Sequence, residues 1–166
     1  MAGSLRFPTQ MSLRLLRDAG LGDIQREMSR MFHESGLDPT VRRLAERAID
    51  NYPDHIGAIY DFVKQTFPYA PDPIENELFI HPRVVATDYY AGRFRAADCD
   101  DHALLNAALL SSIGYKVRIA LLAMKGAEID HAVAQVWTEL GWLSVDTTSS
   151  RSLGWVETYN YCLLVE

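Results

Sequence analysis

The stretch 96-AADCDDHALLNAALLSSIGYKVRIA-120 decides the fold. Asp98 is a good helix N-cap, and Asp101 three positions on gives a weaker form of the capping box. The Ala- and Leu-rich run beyond them reads as helix until Gly114 ends it at a natural C′ position. Cys99, one of two cysteines in the chain, therefore falls in the first helical turn. There the unpaired amides and the positive dipole end favour a thiolate, the reactive form of cysteine. The neighbouring carboxylates oppose that, so the thiolate needs a cationic partner. His102 is near in sequence, but its ring lies over the preceding turn, and a base normally arrives from another element.

Downstream, three strand-like runs follow at Tyr115 to Met124, His131 to Glu139 and Trp142 to Thr147, with a last one at Tyr161 to Val165. His131 opens the second run directly after a short turn-like segment, which makes it the better candidate base. A third group must fix its tautomer. Asp146 lies on the neighbouring strand. Asp130 competes, but adjacent strand residues point to opposite faces, so it should look away from what His131 faces. Strand spacing does not select Asp146. A tight turn at Leu140-Gly141 sets it opposite Gln135, about 13 Å along the strand from His131 at roughly 3.3 Å per residue. A bulge or another register is required.

Upstream, residues 1–36 show helical periodicity in pieces (Leu13, Leu15 and Leu16, then Ile24, Met28, Met31 and Phe32) and are expected to form a loosely attached N-terminal helical arm. Residues 37–166 are expected to form a single domain. A helix begins after Asp38, with Pro39 at its first position and Val41, Leu44, Ala45, Ala48 and Ile49 on one face. Another starts at Pro53 and turns Ile56, Ile59, Tyr60, Val63 and Phe67 inward until Pro68. From Pro68 to Ala97 four prolines and no sustained period predict a long ordered loop of functional character. Helices first and antiparallel strands after them make the α+β class.

The whole chain bounds these readings. Its 166 residues, 48% hydrophobic and 23% charged, suit one soluble globular domain. The net charge of −6 has its basic residues interleaved with acids, so no nucleic-acid surface is expected. No apolar run approaches the roughly 18 residues of a membrane span. The N-terminus lacks the pattern of a secretory signal, so a cytoplasmic location is expected. Cys99 and Cys162 show no disulfide framework and are expected to be free thiols.

The order Cys99, His131, Asp146, in the contexts ADCDDHALLNAALLSSIGYKVRIA, DHAVAQVW and GWLSVDTT, resembles the transglutaminase-like superfamily of cysteine acyl-transfer enzymes. The match covers about residues 55 to 148. The longer stretch from VRRLAERAI through FVKQTFPYAPDPIENELFIHPRVV to DCDDHALL is further similar to small transglutaminase-like proteins encoded by bacteriophages and prophages, which would make a virion location an alternative to the cytoplasm. The resemblance implies a papain-like core, with a nucleophile helix packed on an antiparallel sheet. It also implies Cys99 as nucleophile, His131 as general base and acid, and Asp146 as the residue orienting His131. One departure is Ala97, where the family often has Gly.

An oxyanion hole would combine the Cys99 amide with a side chain upstream, for which Tyr89 and Tyr90 are candidates. Phe94 and the loop from Tyr69 to Ile80 are candidate walls of a substrate groove, and His102 a candidate lining of the cleft. Set against these readings, paired tyrosines, a cysteine at a helix start and a single histidine are each most often packing residues. Asp98, Asp100, Asp101 and His102 could in principle take a divalent cation, but consecutive helical side chains diverge, and no metal or other cofactor is expected. The expected activity is thiol acyl transfer on a peptide or glutamine carbonyl, hydrolytic on grounds of simplicity and possible as transglutamination, with a protein or peptide as substrate. The alternative is a catalytically silent phage or prophage component that keeps the fold to bind another protein.

Overall fold

The Cys99 helix, residues Cys99–Ser112 and labelled α5 below, is buried at every position from Asp100 to Leu110. A helix apolar on all sides belongs in the interior, and its small residues Ala103, Ala107 and Ala108 let neighbours approach closely. The computed structural model describes residues 13–16, 20–72 and 77–166 of the chain. In chain order the other elements are β1 (Leu13–Leu16), α1 (Leu21–Gly36), α2 (Pro39–Ala48), α3 (His55–Thr66), β2 (Glu77–Ile80), α4 (Pro82–Tyr90), β3 (Val117–Ala123), β4 (His131–Thr138), β5 (Gly141–Val145) and β6 (Tyr161–Val165). Helices α1 to α4 surround α5 on one side and an antiparallel sheet of order β5-β4-β3-β6 covers the other. The α+β expectation holds. Among the described residues no helix is long and apolar enough to cross a membrane.

The sheet's alternation puts Ile119, Leu121, Ala132, Ala134 and Val136 into the main core with α5. Ala120, Leu122 and Val133 form a second small cluster with Met124 and Cys162. His131 shares the face of Val133, at the end of β4 where that strand meets the N-terminus of α5.

Three local expectations are corrected. Helical periodicity was expected at Leu13, Leu15 and Leu16, yet Leu13–Leu16 is a strand antiparallel to β2, with Leu13 opposite Ile80; four residues are too few for periodicity to separate helix from strand. In the same arm, α1 is not loosely attached, because Met28 and Met31 are fully buried against the core. The long loop from Pro68 to Ala97 contains β2 and α4. Pro82 there is a helix starter, at the first position of α4 behind His81, whose Nδ1 accepts from the Arg83 amide at 3.1 Å. Residues 1–12 and 17–19 of the arm, and 73–76 of the loop, lie outside the described residues.

The capping readings survive closely. The Asp38 carboxylate accepts from the Thr40 and Val41 amides at 2.8 and 3.3 Å, and Asp98 accepts from Asp101 at 3.4 Å. The second helix starts at His55 rather than Pro53, because Asp54 is its cap and bonds the Gly57 amide at 3.0 Å. Gly114, at φ +96°, takes the left-handed C′ conformation that favours glycine.

Candidate active site

Cys99 enters the site from the N-terminus of α5, and His131 from the start of β4. The two line one cavity of about 270 Å³ together with Tyr69 and Asp98. The Ala132 backbone amide, one residue beyond His131, lies where it favours the Cys99 thiolate. Burial, followed by the Asp98 and Asp100 carboxylates, pushes the Cys99 thiol well above its ordinary value, and the Ala132 and Cys99 amides offset only part of that. The thiol is therefore protonated at rest. Among the described residues no hydrogen bond joins it to His131.

The second pairing is direct. His131 Nε2 lies 2.9 Å from Asp146 Oδ2, with both side chains largely buried. The register difficulty disappears because the β4–β5 turn is Glu139-Leu140, closed by Thr138 opposite Gly141. Thr138 Oγ1 donates to the Gly141 carbonyl at 2.8 Å and accepts from the Leu140 amide at 3.2 Å. Gly141 sits at φ +107°, which favours glycine. Continuing this register sets Asp146 opposite Val133, a single diagonal step from His131 on the same face.

Asp146 is itself held. Its Oδ1 accepts from the Thr148 amide at 2.9 Å and from Thr148 Oγ1 at 2.8 Å. Burial raises its pKa, but the bonds from His131 and Thr148 outweigh this and bring it down to about 2. A carboxylate only accepts, so His131 Nε2 carries a proton and Nδ1 is the nitrogen left to act as a base.

Behind the pair lies a buried polar network. His102 Nδ1 is 2.8 Å from Thr147 Oγ1, and Asn106 Nδ2 donates to both Thr147 Oγ1 and the His102 carbonyl, at 2.8 and 2.9 Å. Burial lowers the His102 pKa and so favours the neutral ring, whose Nδ1 is paired with the Thr147 hydroxyl. His102, expected to line the cleft, instead ties the segment after β5 to α5.

Tyr89, Tyr90 and Phe94, expected as an oxyanion donor or groove wall, are gathered elsewhere by α4, whose existence the sequence reading missed. Tyr89 stacks on Phe62, Tyr90 and Phe94 and its hydroxyl accepts from Arg47 Nε at 2.9 Å. It lines a separate hollow between α2 and α3. The tyrosine in the cavity is Tyr69, brought there by a parallel bridge with Ala97 in which the Ala70 amide meets the Ala97 carbonyl at 2.9 Å. Burial, then Cys99 and Asp98, raises the Tyr69 pKa, so its hydroxyl keeps a proton to donate. Pro71 and Asp72 also line the cavity, in keeping with a groove-walling loop. Asp130 lines it too, while its carboxylate accepts from the Met124 and Lys125 amides at 2.7 and 3.2 Å. Asp98, Asp100 and Asp101 each place a carboxylate oxygen within 4.8 Å of the others, but Asp101 Oδ1 is bonded to the Ile80 amide at 2.6 Å, and Asp98 and Asp100 both accept from the Asp101 amide.

With Cys99, His131 and Asp146 placed in this order on helix and sheet, the sequence from 39 to 147 matches the family model of the transglutaminase-like superfamily. The chain belongs to that superfamily. No curated protein matches this transglutaminase-like chain. Among solved structures it is similar to a candidate cysteine protease of Cytophaga hutchinsonii, at 16% identity and a TM-score of 0.48, over 82% of this chain and 49% of the other. It is also similar to calcium-bound LapG of Legionella pneumophila, at 20% identity and a TM-score of 0.49, over 76% and 74%. This chain spans about half the length of the Cytophaga protein.

Proposed function

We propose that the chain is a thiol acyl-transfer enzyme acting on a peptide or glutamine side-chain carbonyl. The observation that carries this reading is the His131–Asp146 pair, 2.9 Å apart, of which His131 lines the cavity that receives Cys99 from a helix N-terminus. His131 Nδ1 takes the thiol proton as sulfur bonds to the carbonyl carbon. Negative charge moves to the carbonyl oxygen, where the Cys99 amide and the Tyr69 hydroxyl are the available donors. The C–N bond then breaks, and His131 returns its proton to the departing amine or ammonia. Water activated by the same ring resolves the thioester, which makes the reaction hydrolytic. An amine in place of water makes it a transglutamination.

A protonated, buried thiol also suits the other reading, a protein-binding component that keeps the fold without turnover. The two separate on p-nitrophenyl acetate, offered with and without excess cadaverine. An enzyme releases nitrophenolate over many turnovers and loses this in Cys99→Ala; acetate as product indicates hydrolysis, N-acetylcadaverine transfer. Release at the same rate from Cys99→Ala contradicts the proposal and supports the binding component.

A further inference from the structure

The cavity's walls have a composition that the acyl-transfer chemistry does not require. Four carboxylates line it from three separate segments: Asp72 from the segment before β2, Asp98 and Asp100 from the start of α5, and Asp130 from the β3–β4 connection. Among the described lining residues there is no Lys or Arg. Among the described residues no ion pair is formed by Asp72, Asp98 or Asp130, whereas Asp88, outside the cavity, is held by Arg93 and Arg95. Ile24 and Met28 from α1, Leu121 from β3, and Ile129 give it an apolar side. Burial raises the Asp72 pKa and the Asp98 charge raises it further, against the Leu78 amide that lowers it. Asp72 therefore senses the charge of Asp98 across the cavity.

We infer that this cavity selects an acyl donor bearing a basic side chain, lysine or arginine, beside the carbonyl that Cys99 attacks. The aliphatic stem of such a residue packs on Ile24, Met28, Leu121 and Ile129 while its charged head reaches the carboxylates, the arrangement long basic side chains favour. The volume of about 270 Å³ holds one such side chain. A bound cation next to Asp98 also offsets the carboxylate charge that adds to burial in keeping the Cys99 thiol protonated. The substrate thus prepares the nucleophile that attacks it. This inference rests on the Cys99 cavity being the acyl-transfer site, and it is tested on the thiol itself, without turnover.

The probes are 2-aminoethyl, methyl and 2-sulfonatoethyl methanethiosulfonate, with modification of Cys99 followed by peptide mass and each rate divided by that of free N-acetylcysteine. The ratio of cationic to uncharged reagent cancels the intrinsic nucleophilicity of the thiol. It is expected to exceed unity by roughly tenfold, with the anionic reagent correspondingly slow, and to shrink in about 0.5 M salt. Asp72→Asn, which keeps an acceptor for the Leu78 amide, lowers it. A Lys-Gln-Lys peptide with blocked ends protects Cys99 from the uncharged reagent, and Glu-Gln-Glu does not. A ratio at or below unity, or protection by the acidic peptide alone, overturns the inference. A chain that shows the ratio yet never turns over p-nitrophenyl acetate keeps the preference and loses the enzyme reading. One that turns over without the ratio does the reverse.

Discussion

At the scale of single residues, the sequence offered Cys99, His131 and Asp146 as a candidate site, and the structure adds what each of them touches. Thr148 was legible in principle, since a carboxylate that bonds the amide two residues on is a common Asx turn, and 146-DTT-148 has its form. Tyr69 was not, because it depends on a bridge to Ala97 across 28 residues that no local pattern announces. Two predictions belong here. Thr148→Val removes one of two bonds to Asp146 Oδ1 and is expected to slow acetylation of Cys99 by roughly tenfold, about the 1.4 kcal/mol of one hydrogen bond, while Thr148→Ser restores the rate. The second concerns acid. Asp146 has its pKa lowered from 3.8 to about 2, so the folded state favours its carboxylate. That contribution is full above about pH 4 and is lost as the pH falls through about 2, and it amounts to about 2 kcal/mol. Urea midpoints from pH 6 to pH 2 should fall more steeply in the wild type than in Asp146→Asn; equal slopes would show that Asp146 is not held as described.

At the scale of elements, caps and periodicity carried most of the reading. Asp38, Asp98 and Gly114 mark helix ends as expected, because a cap is a contact within one turn of chain. The β4–β5 register stayed open in the sequence, beyond the requirement that it differ from a tight Leu140-Gly141 turn, because it depends on which two residues form the turn; Glu139-Leu140 differs by one position, which moves the partner of Asp146 from Gln135 to Val133. The helix α4 was missed because Pro82 and its neighbours read as breakers, when proline at a first helical position is compatible with the helix. Between elements, Asn106 is fully buried and bonds both His102 and Thr147. Asn106→Ala strips this connection between α5 and the segment carrying Asp146, and is expected to cost about 2–3 kcal/mol in denaturant unfolding. A loss within experimental error would mean that the network does not join the two elements.

At the scale of the molecule, composition and element order sufficed for the α+β class and its antiparallel sheet, since those follow from patterns that every element repeats. The role of residues 1–36 was not legible, because periodicity reports that a helix has an apolar face and not what that face meets. Met28 and Met31 meet the core, and Ile24 and Met28 wall the cavity. A fragment of residues 37–166 is therefore expected to lose cooperative unfolding in circular dichroism; a fragment that unfolds as sharply as the whole chain would restore the view of α1 as an appendage. The central claim remains that His131, oriented by Asp146, takes the proton of a thiol that is neutral at rest. Its most direct measurement is the first-order rate at which p-nitrophenyl acetate acetylates Cys99 at pH 7, read by peptide mass with Cys162 in the same molecule as reference, in the wild type and in His131→Ala. The account predicts that Cys99 outpaces Cys162 and that His131→Ala slows it by roughly a hundredfold or more, the scale of a positioned general base. Equal rates at Cys99 with and without His131 would contradict it.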